Sequence, residues 1–192
     1  NLLKPRPLSA LAVFWLARLV VRVLARPAVI GLEHLPDNGP LIISPNHQSY
    51  IDPLVLVGVL PPGVFRQLFF VGAAEYFQTP PTAWLARKMN VVPVDPDANL
   101  LPAMQAGAFG LRHGKVLVLF PEGERSIDGS VKKFKKGAAI LSRHLQAPIV
   151  PVAIHGLFEI WPRNRPLDWR RLLAGRGQPV APASSQAVVE TC

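Results

Sequence analysis

LIISPNHQSYIDPLVLVGVL, residues 41–60, is the stretch whose reading decides the fold. Its opening run, Leu41 to Ser44, reads as a short buried strand. Its closing run, Pro53 to Leu60, reads as a helix with Asp52 as N-cap and Pro53 at the first helical position. Between the two stand Asn46, His47, Gln48 and Ser49. Strand, polar loop and helix make the repeating unit of an α/β domain, and the loop after such a strand is the usual place for chemistry.

The chain on either side repeats this alternation. PPG, residues 61–63, reads as a turn, and RQLFFVG, Arg66 to Gly72, as a second strand. TPPTAWLARKM suits a helix from Pro80, and VVPV, Val91 to Val94, a third strand. LLPAMQAGAFGLRHG predicts a helix ended by Gly114, and KVLVLF, Lys115 to Phe120, a fourth strand. GAAILSRHL reads as a helix, and PIVPVAI as a last strand in which Pro151 argues for an edge or a bulge. The expected fold is α/β, a mixed, largely parallel central sheet flanked by helices, over residues 27–170. Beyond Trp169 periodicity gives way to Gly, Pro and small residues, so 171–192 is expected to be a disordered tail.

A length of 192 residues suits one such domain, and the near-half apolar content excludes a disordered polypeptide. Lys plus Arg outnumber Asp plus Glu by 21 to 12, a net charge of +9 that suits nucleic acid, an anionic membrane or phosphorylated small molecules. Nucleic acid has little support: the aromatic residues do not interleave with the basic ones, and no recognition motif appears. The single cysteine, Cys192, excludes an intramolecular disulfide framework and a cysteine-based zinc site, and favours the cytosol. The chain begins with Asn rather than Met, which is consistent with a piece of a longer protein.

Residues 1–26 form a separate unit. LSALAVFWLARLVVRVLA, Leu8 to Ala25, is strongly apolar, yet Arg18, Arg22 and Arg26 follow at four-residue spacing and fall on one helical stripe. A spanning helix needs about 20 apolar residues, and a central arginine costs at least roughly 2.5 kcal/mol. The segment therefore reads as an amphipathic helix in the membrane interface, with Phe14 and Trp15 among the acyl chains. Packing on the protein's own core is the plainer alternative.

Three stretches carry candidate chemistry. His47 and Asp52 lie five positions apart, about 140° round a helix, so only a loop between them brings carboxylate to imidazole. There the carboxylate fixes the tautomer, and the far ring nitrogen is free to take a proton from a hydroxyl. FPEGERS, Phe120 to Ser126, places Glu122, Gly123 and Arg125 at the end of a strand, with a guanidinium fork suited to phosphate oxygens. SVKKFKKGA sets Lys132, Lys133, Lys135 and Lys136 around Phe134, either a solvated charge run or an attractor for anionic headgroups or a phosphorylated substrate. IVPVAIHG, Ile149 to Gly156, reads better as a core strand with His155 in a turn.

Taken together and in order, NHQSYID, FPEGERS and IVPVAIHG resemble the glycerolipid acyltransferases of the bacterial lysophosphatidate acyltransferase (PlsC-like) type, from about Pro27 to Gly156. The resemblance implies a glycerol-3-phosphate acyltransferase-like fold and a membrane-docking N-terminal helix. It implies transfer of a fatty acyl group from a thioester, acyl-CoA or acyl carrier protein, to a hydroxyl of lysophosphatidate or a related lysophospholipid, in phospholipid biosynthesis. His47 would be the general base and Asp52 its orienter. Glu122, Gly123 and Arg125 would shape the acceptor site with Arg125 on the phosphate, and Pro151 would border the donor side. Asn46, Ser126, Lys132, Lys133 and Lys136 complete the implied substrate-binding set. No metal, bound cofactor or covalent enzyme intermediate is implied. The family often has Thr where this chain has Glu124. VVPVDPD carries Pro96 where the family has arginine, which leaves one phosphate contact missing or supplied by Lys88, Arg87 or the Lys132 to Lys136 cluster.

The implied place is the cytoplasmic face of a membrane, peripheral or monotopic, with fusion to an acyl-activating enzyme left open. Two other readings stay open. A thioesterase or lipid hydrolase would use His47 to activate water, and a binding module would hold anionic lipid without chemistry.

Overall fold

The computed structural model describes residues 6–95 and 100–174. Five strands, β1 (Leu41–Pro45), β2 (Leu68–Ala73), β3 (Val91–Val94), β4 (Val116–Val118) and β5 (Ile149–Val152), form one sheet in the order β3-β2-β4-β1-β5. Every pairing is parallel, so the sheet has no antiparallel member among the described residues. The helices are α1 (Leu8–Val20), α2 (Asp52–Val59), α3 (Pro62–Gln67), α4 (Pro80–Met89), α5 (Leu100–Arg112), α6 (Gly137–Leu145) and α7 (Trp169–Ala174).

Side chains along the strands alternate between two cores, as the two-residue period requires. Leu41, Ile43, Leu68, Phe70, Val116 and Val118 face a core closed by α1, α2 and α3 through Phe14, Val57 and Phe65. Ile42, Phe69 and Leu117 face the other way, against Leu111 of α5 and Ala138 and Leu141 of α6. Cover on both faces explains why these strands are continuous apolar runs. It also positions the site. The chain leaves β1 for α2 on one face and leaves the adjacent β4 for α6 on the other, the switch of direction beside which parallel sheets place their ligand sites, at the C-terminal loops of the two strands.

Several sequence expectations need correction. PPG is not a plain turn: Pro61 and Pro62 start α3, whose Val64 and Phe65 are buried, so apolar demand carries the chain into a helical turn and β2 begins at Leu68 rather than Arg66. The regular part of β4 is only Val116–Val118, although the Leu119 amide still donates to the Ile43 carbonyl at 3.0 Å. Pro151 does lie in an edge strand, where its missing N–H costs no ladder bond. The helix α7 runs past residue 170 and buries Leu172; residues 175–192 lie outside the described residues.

The N-terminal helix packs one face on the core, as the plainer reading has it, and leaves the other face apolar and exposed. Ala10, Phe14, Ala17 and Val21 are buried, and Phe14 stacks on Phe65 with ring centroids 4.3 Å apart. Phe14 is therefore a core residue, not one among acyl chains. Val21 opens a π-helical turn, Val21–Ala25, and approaches α2 at Gly58, where a Cβ would stand 2.7 Å from the Val21 Cβ. Arg18 folds back to donate from Nη1 to the Leu60 carbonyl at 2.8 Å, while Arg22 and Arg26 stay exposed. The opposite face presents Leu8, Trp15, Leu16 and Leu19, each more than half exposed. By length and composition Leu8–Ala25 is apolar enough to cross a membrane, with a mean hydropathy of 2.0.

Candidate active site

Burying polar groups is costly unless they are bonded, so their distribution locates specialised chemistry. Among the described residues, the buried polar and charged side chains are Asn46, Gln48, Ser49, Asp52, Glu122, Arg125 and Ser126. All lie in the loops after β1 and β4 or, for Asp52, at the first residue of α2.

Asp52 is the centre of the first loop. As the first residue of α2 it makes no cap bond within the helix; its carboxylate turns back over the preceding loop. Oδ2 accepts from the Gln48 amide at 2.6 Å and the Ser49 amide at 2.8 Å, and lies 2.8 Å from His47 Nδ1. The N-cap reading is thus corrected: the amides it satisfies precede the helix. Because Oδ2 is already an acceptor for two amides, Nδ1 carries the proton toward it and Nε2 keeps its lone pair. The imidazole is further fixed by stacking on Phe120, with centroids 4.0 Å apart.

The second loop holds the first by its backbone. Glu122 Oε1 accepts from the His47 amide at 2.7 Å, and Oε2 from the Lys132 amide at 2.8 Å. The Ser126 amide donates to the His47 carbonyl at 2.7 Å, so His47 is gripped on both sides. Asn46 ties the same loop to the end of β5: its Nδ2 donates to the Ile154 carbonyl at 2.9 Å and its Oδ1 accepts from the Ile154 amide at 2.6 Å. Asn46 and Ser126, expected among the substrate-binding residues, make these bracing contacts within the protein. Glu122 braces as well, its partners being the His47 and Lys132 amides.

Arg125 is packed between two tyrosines. Its guanidinium carbon stands 3.8 Å from the Tyr50 ring centroid and 4.7 Å from that of Tyr76, and Nη2 donates to the Tyr76 hydroxyl at 2.9 Å. Nε is buried with no partner among the described residues. The sequence reading missed both tyrosines. Tyr50 sat inside the first motif; Tyr76 follows β2, and no local signal linked it to Arg125.

The basic cluster divides. Lys132 Nζ bonds Glu124 at 3.0 Å, and Arg163 bonds the other Glu124 oxygen at 2.7 Å. Hydrogen bonds from Lys132 and then Arg163 hold the Glu124 carboxyl below its ordinary range. Lys132, expected in the acceptor-binding set, is thus paired with Glu124 at the surface. Lys135 lies across Gly123, which adopts φ +77°; a Cβ there would stand 2.6 Å from Lys135 Nζ. Lys133 and Lys136 are exposed. Lys88 donates to Ser9 Oγ at 2.6 Å and serves to dock α4 on α1, while Arg87 is exposed and Pro96 lies outside the described residues. Pro151 stands opposite Ser44, in register below the loop that carries His47.

A paired imidazole, a braced loop and a buried arginine thus meet at the C-terminal edge of a parallel sheet, where active sites of such folds usually lie. The family model described as Acyltransferase matches residues 26–155, more than half of the chain, and the chain belongs to that family. It is 32% identical over 160 residues to 1-acyl-sn-glycerol-3-phosphate acyltransferase alpha of Homo sapiens, covering 80% of this chain and 52% of that protein. To the 1-acyl-sn-glycerol-3-phosphate acyltransferase of Pseudomonas aeruginosa it is 30% identical over 152 residues, 78% of this chain and 56% of the other. The chain thus spans about half the length of these curated relatives. The crystal structure of the 1-acyl-sn-glycerophosphate (LPA) acyltransferase PlsC from Thermotoga maritima matches with a TM-score of 0.65 at 25% identity, over 87% of this chain and 66% of that one. The family and the fold expected from the three motifs are both confirmed.

Proposed function

We propose that this protein transfers a fatty acyl group from an acyl thioester, acyl-CoA or acyl carrier protein, to the free hydroxyl of lysophosphatidate or a related lysophospholipid. The observation that carries the reading is the 2.8 Å contact between His47 Nδ1 and Asp52 Oδ2, within the stretch matched to the family. In the reaction His47 Nε2 takes the proton of the acceptor hydroxyl. The oxygen then bonds to the thioester carbonyl carbon, the C–S bond breaks, and the departing thiolate receives the proton from the imidazolium. Asp52 stabilises that imidazolium throughout, as a buried orienting carboxylate does elsewhere. Arg125, the guanidinium fork of the second loop, is the residue we assign to the acceptor's phosphate; the names of the relatives, which specify 1-acyl-sn-glycerol-3-phosphate, support this choice of acceptor. The apolar outer face of α1 supports a peripheral seat on the membrane, which we assign to the cytoplasmic side because acyl thioesters are made there.

The test is thiol release from acyl-CoA, and from acyl carrier protein, with and without lysophosphatidate, in wild type and His47→Ala. Release that requires the acceptor and disappears in the variant supports acyl transfer. Release indifferent to the acceptor makes the protein a thioesterase, and unaltered turnover in His47→Ala removes the histidine from the mechanism.

A further inference from the structure

The loop between β4 and α6 has a fixed root and an unusual tip. At the root, Ser126 is fully buried, Glu122 holds the Lys132 amide, and the Lys135 amide donates to the Pro121 carbonyl at 2.8 Å. The turn at its middle is closed by Asp128, which accepts from the Ser130 amide at 2.9 Å and from the Ser126 and Ser130 hydroxyls, and by Gln48, whose Nε2 reaches the Gly129 carbonyl at 3.0 Å. A loop pinned in this way has no need to expose apolar side chains, yet Ile127, Val131 and Phe134 are 55%, 58% and 57% exposed. Lys133, Lys135 and Lys136 are exposed beside them.

The acidic residues of the loop offset those lysines only in part. Glu122 is buried on amides, Glu124 is taken by Lys132 and Arg163, and Asp128, bonded to neutral donors of its own turn, leaves one exposed carboxylate against three exposed lysines. The remaining surface is apolar and net cationic together, on the loop whose root grips His47. Single exposed apolar residues are ordinary; three on one pinned loop, interleaved with lysines in excess over carboxylates, match the headgroup and upper acyl region of an anionic bilayer.

We propose that this loop, from Ile127 to Lys136, is a second membrane contact, independent of the outer face of α1. Ile127, Val131 and Phe134 enter the interface, and Lys133, Lys135 and Lys136 meet anionic headgroups. The site then lies at the lipid surface, and a lysophospholipid reaches His47 without crossing bulk water. The proposal rests on the acyl-transfer reading only for what reaches His47; contact with the bilayer is a separate property.

The test is co-sedimentation of the full chain, with no acyl donor present, on vesicles of phosphatidylcholine alone and of phosphatidylcholine with phosphatidylglycerol. Substituting Ile127→Ser, Val131→Ser and Phe134→Ser together is expected to weaken binding to both by about tenfold or more. Replacing Lys133, Lys135 and Lys136 by Gln is expected to weaken binding to the anionic vesicles alone, with the difference vanishing in high salt. A dye on Phe134→Cys, in a Cys192→Ser background, is expected to shift to an apolar environment when vesicles are added. Wild-type binding by the serine variant with unchanged circular dichroism overturns the proposal, as does a dye that stays in water while the protein is bound. Because no donor is present, failure here leaves the acyl-transfer reading intact, and failure of acyl transfer leaves this result intact.

Discussion

The loop after β1 and the loop after β4 leave neighbouring strands at the same edge of the sheet, and they are built to opposite ends. In the first, Asn46, Gln48, Ser49 and Asp52 are all buried, and their hydrogen bonds run to the protein's own backbone or to His47. In the second only the root is treated so; Lys133, Phe134, Lys135 and Lys136 are left outside. The difference suits the roles proposed for the two loops. A base must be held to within a fraction of an ångström, which requires bonds on every side. A surface that meets substrate or membrane must keep its groups uncommitted until the partner arrives.

The sharpest break of this contrast is His47→Ala. The fold should survive, since the side chain's polar partner is Asp52, and acyl transfer should fall by about 10²–10⁴-fold in a thiol-release assay. Glu122→Ala attacks the brace between the loops. It leaves the His47 and Lys132 amides without their acceptor, at roughly 1–3 kcal/mol for each group that stays dry. Thermal denaturation should show a Tm several degrees lower, and activity should drop with it, because the backbone of His47 loses one of its two holds. An unchanged Tm would mean that water replaces the carboxylate.

Tyr76→Phe refines the second loop's part. Removing the hydroxyl that Arg125 Nη2 bonds should raise the KM for a phosphorylated acceptor by about tenfold while kcat holds, with little change for the dephosphorylated analogue. A matched loss on both acceptors would make the tyrosine structural. The smallest effect is expected at Glu124. Its carboxyl is held low by Lys132 and Arg163, so its contribution to stability is present above the ordinary value of 4.5 and is lost as pH falls through the lower folded value. Wild type and Glu124→Gln should therefore differ by under about 1 kcal/mol in urea unfolding near neutral pH and converge in acid.

The two faces of α1 repeat the lesson on a larger scale. Truncating residues 1–26 would take Phe14 from its stack on Phe65 as well as removing the exposed Trp15, Leu16 and Leu19. Membrane seating is better probed with Leu16→Ser and Leu19→Ser, which leave the buried face in place. Hydropathy sums both faces into one apolar run, so the sequence could favour interface or core but not assign each to its own side.

The sequence by itself determined the alternation of strands and helices, the restriction of Pro151 to an edge or a bulge, and the means by which His47 could approach Asp52, because each depends on neighbours within a few positions. Strand runs, helix starts and a loop short enough to fold a carboxylate back are local physics. Only the tertiary structure decided that Asp52 serves amides ahead of its helix, that Glu122 clasps His47, that Tyr76 holds Arg125, and that Lys132 pairs with Glu124 while Lys135 lies over Gly123. Those contacts join segments from different strands, and their partners are set by the parallel order β3-β2-β4-β1-β5. No spacing along the chain encodes which loops that order makes adjacent, so the brace and the fork could be read only once the sheet had brought them together.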